Sequence, residues 1–399
     1  MSPSPRNLIF LLLDGLHAGM LGAYGNTWTH THGWDQLASE GFLLDQCLAC
    51  DPRLAEVYRD HWSLADGTSL AAAWARLGQR PVLLTDEPLV AEHPLAADFA
   101  ERTLLDAAPP GPAGELAETH FARFFAEASE RLTALEPPFC LWLHSRGLTA
   151  PWDAPWQLRA DYADEEDPAP PDWIEVPDKL LAAGFDPDEL LGIQHAYAGQ
   201  VVALDRCLAA MLNDFRASPR AADTLLVVLT VRGFPLGEHG RVGLGGGELF
   251  NERVQLGCVL RFPDQLGILQ RSSALVTGAD VGATAWHWLT EQPSPFPPGA
   301  SSLLPIVHGE AAQVRDHLWL SSGSERGIRT PAWFCRWPEA HELERVELYS
   351  KPDDRWEVSD VADRLPQVVA GFRDLAEAQP ASSASETLPL PPLLTEVVE

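Results

Sequence analysis

Positive charge is scarce in this chain of 399 residues. Lys and Arg number 28 against 57 Asp and Glu, a formal net charge of −29. A surface that acidic repels phosphate backbones and anionic lipid, which excludes nucleic acid and membrane surfaces as partners. It also repels an anionic ester unless a local cationic pocket overrides the field. Cysteine is sparse and scattered, at Cys47, Cys50, Cys140, Cys207, Cys258 and Cys335. Cys47-Leu-Ala-Cys50 is a C-x-x-C with no second pair and no His at finger spacing, so it does not make a zinc finger. The other four read as buried, unreactive thiols. Long apolar runs are missing as well. Leu8–Leu13 is too short for a membrane span, and it ends at Asp14 with no small-residue cleavage site directly after it. Export by a leader is therefore not expected, and the cytoplasm is the expected location. No internal repeat is present.

Hydrophobic residues make up 46% of the chain, ample for a large core. Length alone allows two or three domains, or one large α/β domain with an appendage. Asn7–Leu13 is a continuous apolar run closed by Asp14-Gly15, the pattern of a strand buried on both faces of a parallel sheet. Arg80–Thr85, Pro138–His144, Thr224–Thr230 and Leu256–Arg261 read as further strands. Helical patterns fall between them at Ser69–Leu77, Leu116–Leu135 and Ile193–Phe215. This alternation predicts a doubly wound, mostly parallel α/β sheet with right-handed crossovers. Asp161–Pro177 and Gln292–Leu304 read as surface loops. Beyond residue 315, the runs Leu318-Trp-Leu320, Ala332–Trp337 and Val346–Tyr349 predict a small antiparallel subdomain. The expected organisation is an α/β domain over 1–315, a small α+β subdomain over 316–378, and a disordered tail over 379–399.

Asn7-Leu-Ile-Phe-Leu-Leu-Leu-Asp14-Gly-Leu-His-Ala-Gly-Met-Leu-Gly-Ala-Tyr-Gly-Asn26 and Trp34-Asp-Gln-Leu-Ala-Ser-Glu-Gly-Phe42 resemble the opening of a sulfatase, in the alkaline phosphatase superfamily. Pro138–His144 followed by Ala150-Pro-Trp-Asp-Ala-Pro155 is similar to the strand and loop that carry a substrate-site His in that family. Asp223–Thr230 followed by Gly237-Glu-His-Gly240 resembles its second metal segment. Glu325–Trp333 and Glu347-Leu-Tyr349 resemble its C-terminal subdomain. These stretches run collinearly from Asn7 to near residue 365.

The resemblance implies a site for tetrahedral oxyanion esters. The nucleophile stands at a helix N-terminus, where backbone N–H groups favour negative charge. A divalent cation, usually calcium, is held by carboxylates and an amide or His. Lys and His neutralise the remaining ester oxygens. Carried over position by position, the resemblance puts a metal ligand at Asp14, the nucleophile at Cys50 and a pocket-facing imidazole at His239.

The departures are extensive. The acidic neighbour of Asp14 is Gly15, and the paired ligands after the later strand are Val231-Arg232. The Lys-x-His segment is replaced around Thr85-Asp-Glu-Pro88, the loop His aligns with Thr149, and a further Lys falls in Gly245-Gly-Gly247. One family ligand is left where a hard cation takes about six oxygens. Cys50-Asp-Pro-Arg-Leu54 keeps Cys and Pro but places Arg one residue early. A structural reading accounts for that segment: Asp51 as N-cap, Pro52 as first helical residue, and Leu54, Val57 and Tyr58 as one buried face. A helix N-terminus would still lower the Cys50 pKa. Arg232 and Arg53 remain as local cations and candidate anion ligands, Arg232 at the place where the metal belongs.

Other candidates have plainer readings. His30-Thr-His32 reads as surface histidines. Asp14, His17, Asp86, Glu87 and His239 would build a rewired site, although nothing in their spacing demands it. Gly243–Gly247 lacks the Gly-Lys-Ser/Thr ending of a phosphate loop and reads as a flexible loop. The expectation is a sulfatase fold with degenerate chemistry, kept for binding or regulation of a protein or small-molecule partner. No cofactor is expected on that reading. The alternative is a divergent hydrolase of sulfate or phosphate esters using calcium or magnesium.

Overall fold

A computed structural model describes residues 6–106, 111–341, 345–378 and 390–396. The first strand, Asn7–Leu13, is buried along its whole length. Leu8, Phe10 and Leu12 enter one apolar core, while Ile9, Leu11 and Leu13 enter another on the opposite side. That two-sided burial is why the run is uniformly apolar instead of alternating. The main sheet runs in the order Gln270–Thr277, Phe42–Leu48, Cys258–Arg261, Thr224–Thr230, Asn7–Leu13, Phe139–Ser145, Arg80–Thr85, Glu101–Leu104. Helices His120–Ala134 and Pro187–Ala217 cover one face, and Leu54–Trp62, Leu70–Arg76 and Gly278–Thr290 cover the other.

The expected Leu256–Arg261 strand is split at Gly257 and its Cys258–Arg261 part runs antiparallel to Thr224–Thr230. Phe42–Leu48 and Gln270–Thr277 are strands that the sequence patterns did not single out. Gln270–Thr277 is exposed at its start and buried only at its end, so no apolar run marks it.

Leu318–Ser321, Glu325–Arg329, Trp333–Pro338 and Glu347–Ser350 form a separate antiparallel meander. Helix Pro366–Ala378 closes its core through Val368, Val369 and Phe372. The tail needs one correction. Residues 379–389 and 397–399 lie outside the described residues, but Pro392–Thr395 is a short helix that buries Leu394 in this small core. Leu390 and Leu393 pack beside it, and this apolar cluster holds the segment despite its Pro content. Among the described residues no helix is long and apolar enough to cross a membrane.

Candidate functional site

Four parallel strands end side by side, and their register decides what meets beyond them. Leu13 pairs with Thr230 on one side and Ser145 on the other, and Thr85 pairs with His144. Val231 N donates to Leu13 O at 3.0 Å, and Asp14 N donates to Ser145 O at 3.0 Å. The next residues out are therefore Arg232, Asp14, Arg146 and the pair Asp86-Glu87, a row of alternating charge. It sits in the crevice beyond the carboxyl ends of the strands, where ligands bind in open α/β sheets.

Asp14 and Arg232 form a two-pronged pair. Arg232 Nε donates to Asp14 Oδ1 and Nη2 to Oδ2, both at 2.9 Å. Its Nη1 reaches Pro52 O at 3.4 Å. The Asp14 side chain is 1% exposed and that of Arg232 16%. Burial works against the charged guanidinium, but the Asp14 carboxylate outweighs it and the Arg232 pKa is raised. Gly15 adopts φ +70, and a Cβ there would stand 2.7 Å from Thr149 Cγ2. Gly147, at φ +55, lies so close to Asp14 O that no side chain fits. Tyr197 fixes the turn after Asp14, its hydroxyl donating to Gly15 O at 2.7 Å and accepting from His17 N at 2.8 Å.

The divalent cation implied by the sulfatase resemblance does not fit these residues. Both Asp14 oxygens are spent on Arg232. Gly15 offers no ligand, and Val231 is apolar and fully buried. Among the described residues no group of three or more His, Cys, Asp or Glu could hold a metal ion.

The remaining sequence candidates are drawn apart. Cys50 lines a cavity of about 560 Å³ with Asp60, Ser63, Thr277 and Arg315, and neither Asp14 nor Arg232 is in its wall. Burial pushes the Cys50 thiol up to about 12, so the expected lowering by a helix N-terminus is overturned. The cap is also displaced: the helix starts at Leu54 with Arg53 at the N-cap, while Asp51 Oδ1 accepts from Arg53 N at 3.0 Å. Leu54, Val57 and Tyr58 are buried as the pattern implied. Arg53 pairs with Asp51, so both candidate anion ligands are committed to carboxylates, and an anion would have to displace one of them.

His239 bonds Glu252 Oε1 through Nδ1 at 2.6 Å and Glu357 O through Nε2 at 3.1 Å. Two acceptors on one ring call for two N–H groups. Burial opposes the charge, but Glu252 and Glu357 prevail and its pKa is raised. His17 Nε2 lies 3.3 Å from Glu238 Oε1. Asp86 Oδ1 accepts from Arg146 N at 2.6 Å, and Glu87 lies 3.2 Å from Arg146 Nε. Asp86 and Glu87 thus share Arg146, while Asp14, His17 and His239 each have a partner of their own. His30 and His32 are exposed, as their motif implied. The glycine loop is anchored instead of free: Gly245 N donates to Asp178 Oδ1, and Arg253 Nη1 donates to Gly246 O at 2.6 Å.

Sequence reasoning missed two features. Arg146 adds a cation to the row, and its position directly after an apolar strand was the available signal. The second is beneath the site, where the Tyr58 hydroxyl bonds His144 Nδ1. His144 is fully buried, its Nε2 has no hydrogen-bond partner, and burial pushes its pKa down to about 4.

No protein-family model matches the chain, and no curated protein matches it. Solved structures do. A phosphonate monoester hydrolase of Agrobacterium radiobacter is similar with a TM-score of 0.75 and 17% identity, covering 94% of this chain and 95% of that one. A protein solved in complex with its substrate D-glucosamine-2-N,6-O-disulfate has a TM-score of 0.75 and 14% identity, covering 94% of this chain and 99% of that one. A 2-O GAG sulfatase has a TM-score of 0.73 and 14% identity, covering 94% and 92%. The fold is that of sulfatases and the alkaline phosphatase superfamily, down to the separate small antiparallel sheet.

Proposed function

We propose that this sulfatase-fold chain is catalytically degenerate and acts in the cytoplasm by binding a protein or small-molecule partner. The observation that carries this reading is the pairing of Asp14 with Arg232. A guanidinium holds both oxygens of the one carboxylate that matches a family metal ligand. Neither Lewis-acid activation nor a poised thiolate is supplied by the residues at the strand ends. Without them the barrier to ester hydrolysis rises by several kcal/mol, and each ~1.4 kcal/mol slows the reaction tenfold.

The test is hydrolysis of aryl sulfates, phosphate monoesters and phosphonate monoesters, with calcium, magnesium or chelator present. The expected result is no turnover above an Asp14→Asn control. Saturable, metal-dependent turnover that this control lacks would instead establish the divergent hydrolase, the activity class named for the Agrobacterium neighbour.

A further inference from the structure

We propose that Arg232 is a cation supplied by the chain itself, standing where the sulfatase resemblance calls for a metal, and that it frees the folded site from any diffusible cation. The acceptors around its guanidinium are Asp14 Oδ1, Asp14 Oδ2 and Pro52 O. A carboxylate and a backbone carbonyl are the oxygen types that a hard cation takes. Glu87 also directs negative potential at it. Through these contacts one side chain joins the ends of two central strands to the segment that enters helix Leu54–Trp62. The tethered guanidinium does so without a binding equilibrium, and no chelator removes it.

Removing the guanidinium leaves a buried carboxylate facing a vacated, oxygen-lined space. A buried charge without its partner is strongly destabilising. The space should then accept a cation from solution.

The experiment is thermal unfolding of the full chain, wild type against Arg232→Ala, with chelator, with millimolar calcium or with millimolar methylguanidinium. The wild-type Tm should be the same in all three. Arg232→Ala should lose about 5 °C or more in chelator. Methylguanidinium or calcium should return part of that loss, and adding Asp14→Asn to the variant should abolish the recovery. If Arg232→Ala does not fold, Arg232→Gln carries the same comparison. A wild-type Tm that falls in chelator would overturn the proposal, as would a variant that no added cation restores. The proposal shares its ion pair with the non-catalytic reading, but turnover decides that reading and cation-dependent stability decides this one.

Discussion

Two of the buried ion pairs in this molecule are built in different ways. At the strand ends, Asp14 and Arg232 meet almost alone, with one further bond to Pro52 O. At the junction between the two sheets, Lys351 and Glu357 meet at 2.8 Å with side chains 1% and 0% exposed, and both make further hydrogen bonds. Lys351 Nζ donates to Asp354 O at 2.8 Å, and Glu357 Oε2 accepts from Asn251 N at 2.8 Å. Glu357 O accepts from His239, whose ring stacks on Phe250 at 3.5 Å, and Arg336 lies over the same Phe250 ring at 3.6 Å. The junction network positions backbone from both sheets, whereas the strand-end pair fills a single place. Glu238-His239 therefore reads differently in its surroundings than in its motif: the segment resembles a site but serves a joint.

The largest effect should come from breaking the junction. Lys351→Met strands the Glu357 carboxylate in the core, and loss of one partner of a buried pair costs about 3–5 kcal/mol. Burial already raises the Glu357 pKa, with Lys351 opposing it. Without Lys351 the folded-state pKa should rise further above the unfolded value. A group with a raised folded pKa favours the folded state at low pH, so the variant should recover stability as pH falls. Urea unfolding at neutral and mildly acidic pH checks this. An equal loss at both would place Lys351 outside the charge network.

A smaller effect should come from the floor of the strand-end site. His61 and His144 are buried, and burial pushes both pKa values down to about 4. Their contribution is fully present above the unfolded value of ~6.5 and is lost as pH falls from there through about 4. Asp205 works in the opposite sense. Burial raises it to about 6, so its contribution is present at low pH and fades as pH rises through about 6. It offsets part of what the two imidazoles lose. His61→Leu removes one of the opposing terms, and acidification to the middle of the window should favour the variant over wild type by about 2 kcal/mol. Parallel pH profiles that never converge would assign His61 a packing role alone.

Much of the fold was legible in the sequence because buried parallel strands write themselves as apolar runs. Asn7–Leu13, Arg80–Thr85 and Thr224–Thr230 lie where their runs place them. Gln270–Thr277 was not legible, because an edge strand with one exposed end has no such run. At the site, Asp14 and Arg232 were legible as strand-end residues, and registration of the strands brings them together. Arg146 was not legible, because in this loop the resemblance marks Thr149, the position aligned with a family His, and not Arg146. The Cys50 environment was not legible either. A helix N-terminus is a local feature, whereas the desolvation that decides this thiol is set by tertiary packing.

The smallest effect separates the two kinds of buried charge most directly. Replacing both members of a buried pair by apolar residues of similar size is often neutral or stabilising, because desolvation of both ions is avoided. At the strand ends only Pro52 O would lose a bond, and a long one. Asp14→Leu with Arg232→Met should therefore change stability by no more than about 1 kcal/mol. The matching change at the junction, Lys351→Met with Glu357→Leu, leaves Asn251 N without its acceptor and removes the donor to Asp354 O. An unsatisfied buried polar group costs about 1–3 kcal/mol, so this double variant should stay destabilised. Denaturant titration of both double variants measures the difference. If the strand-end pair proves as costly to replace as the junction pair, it is held by contacts beyond Asp14 and Pro52, and the contrast between an isolated pair and a network is lost.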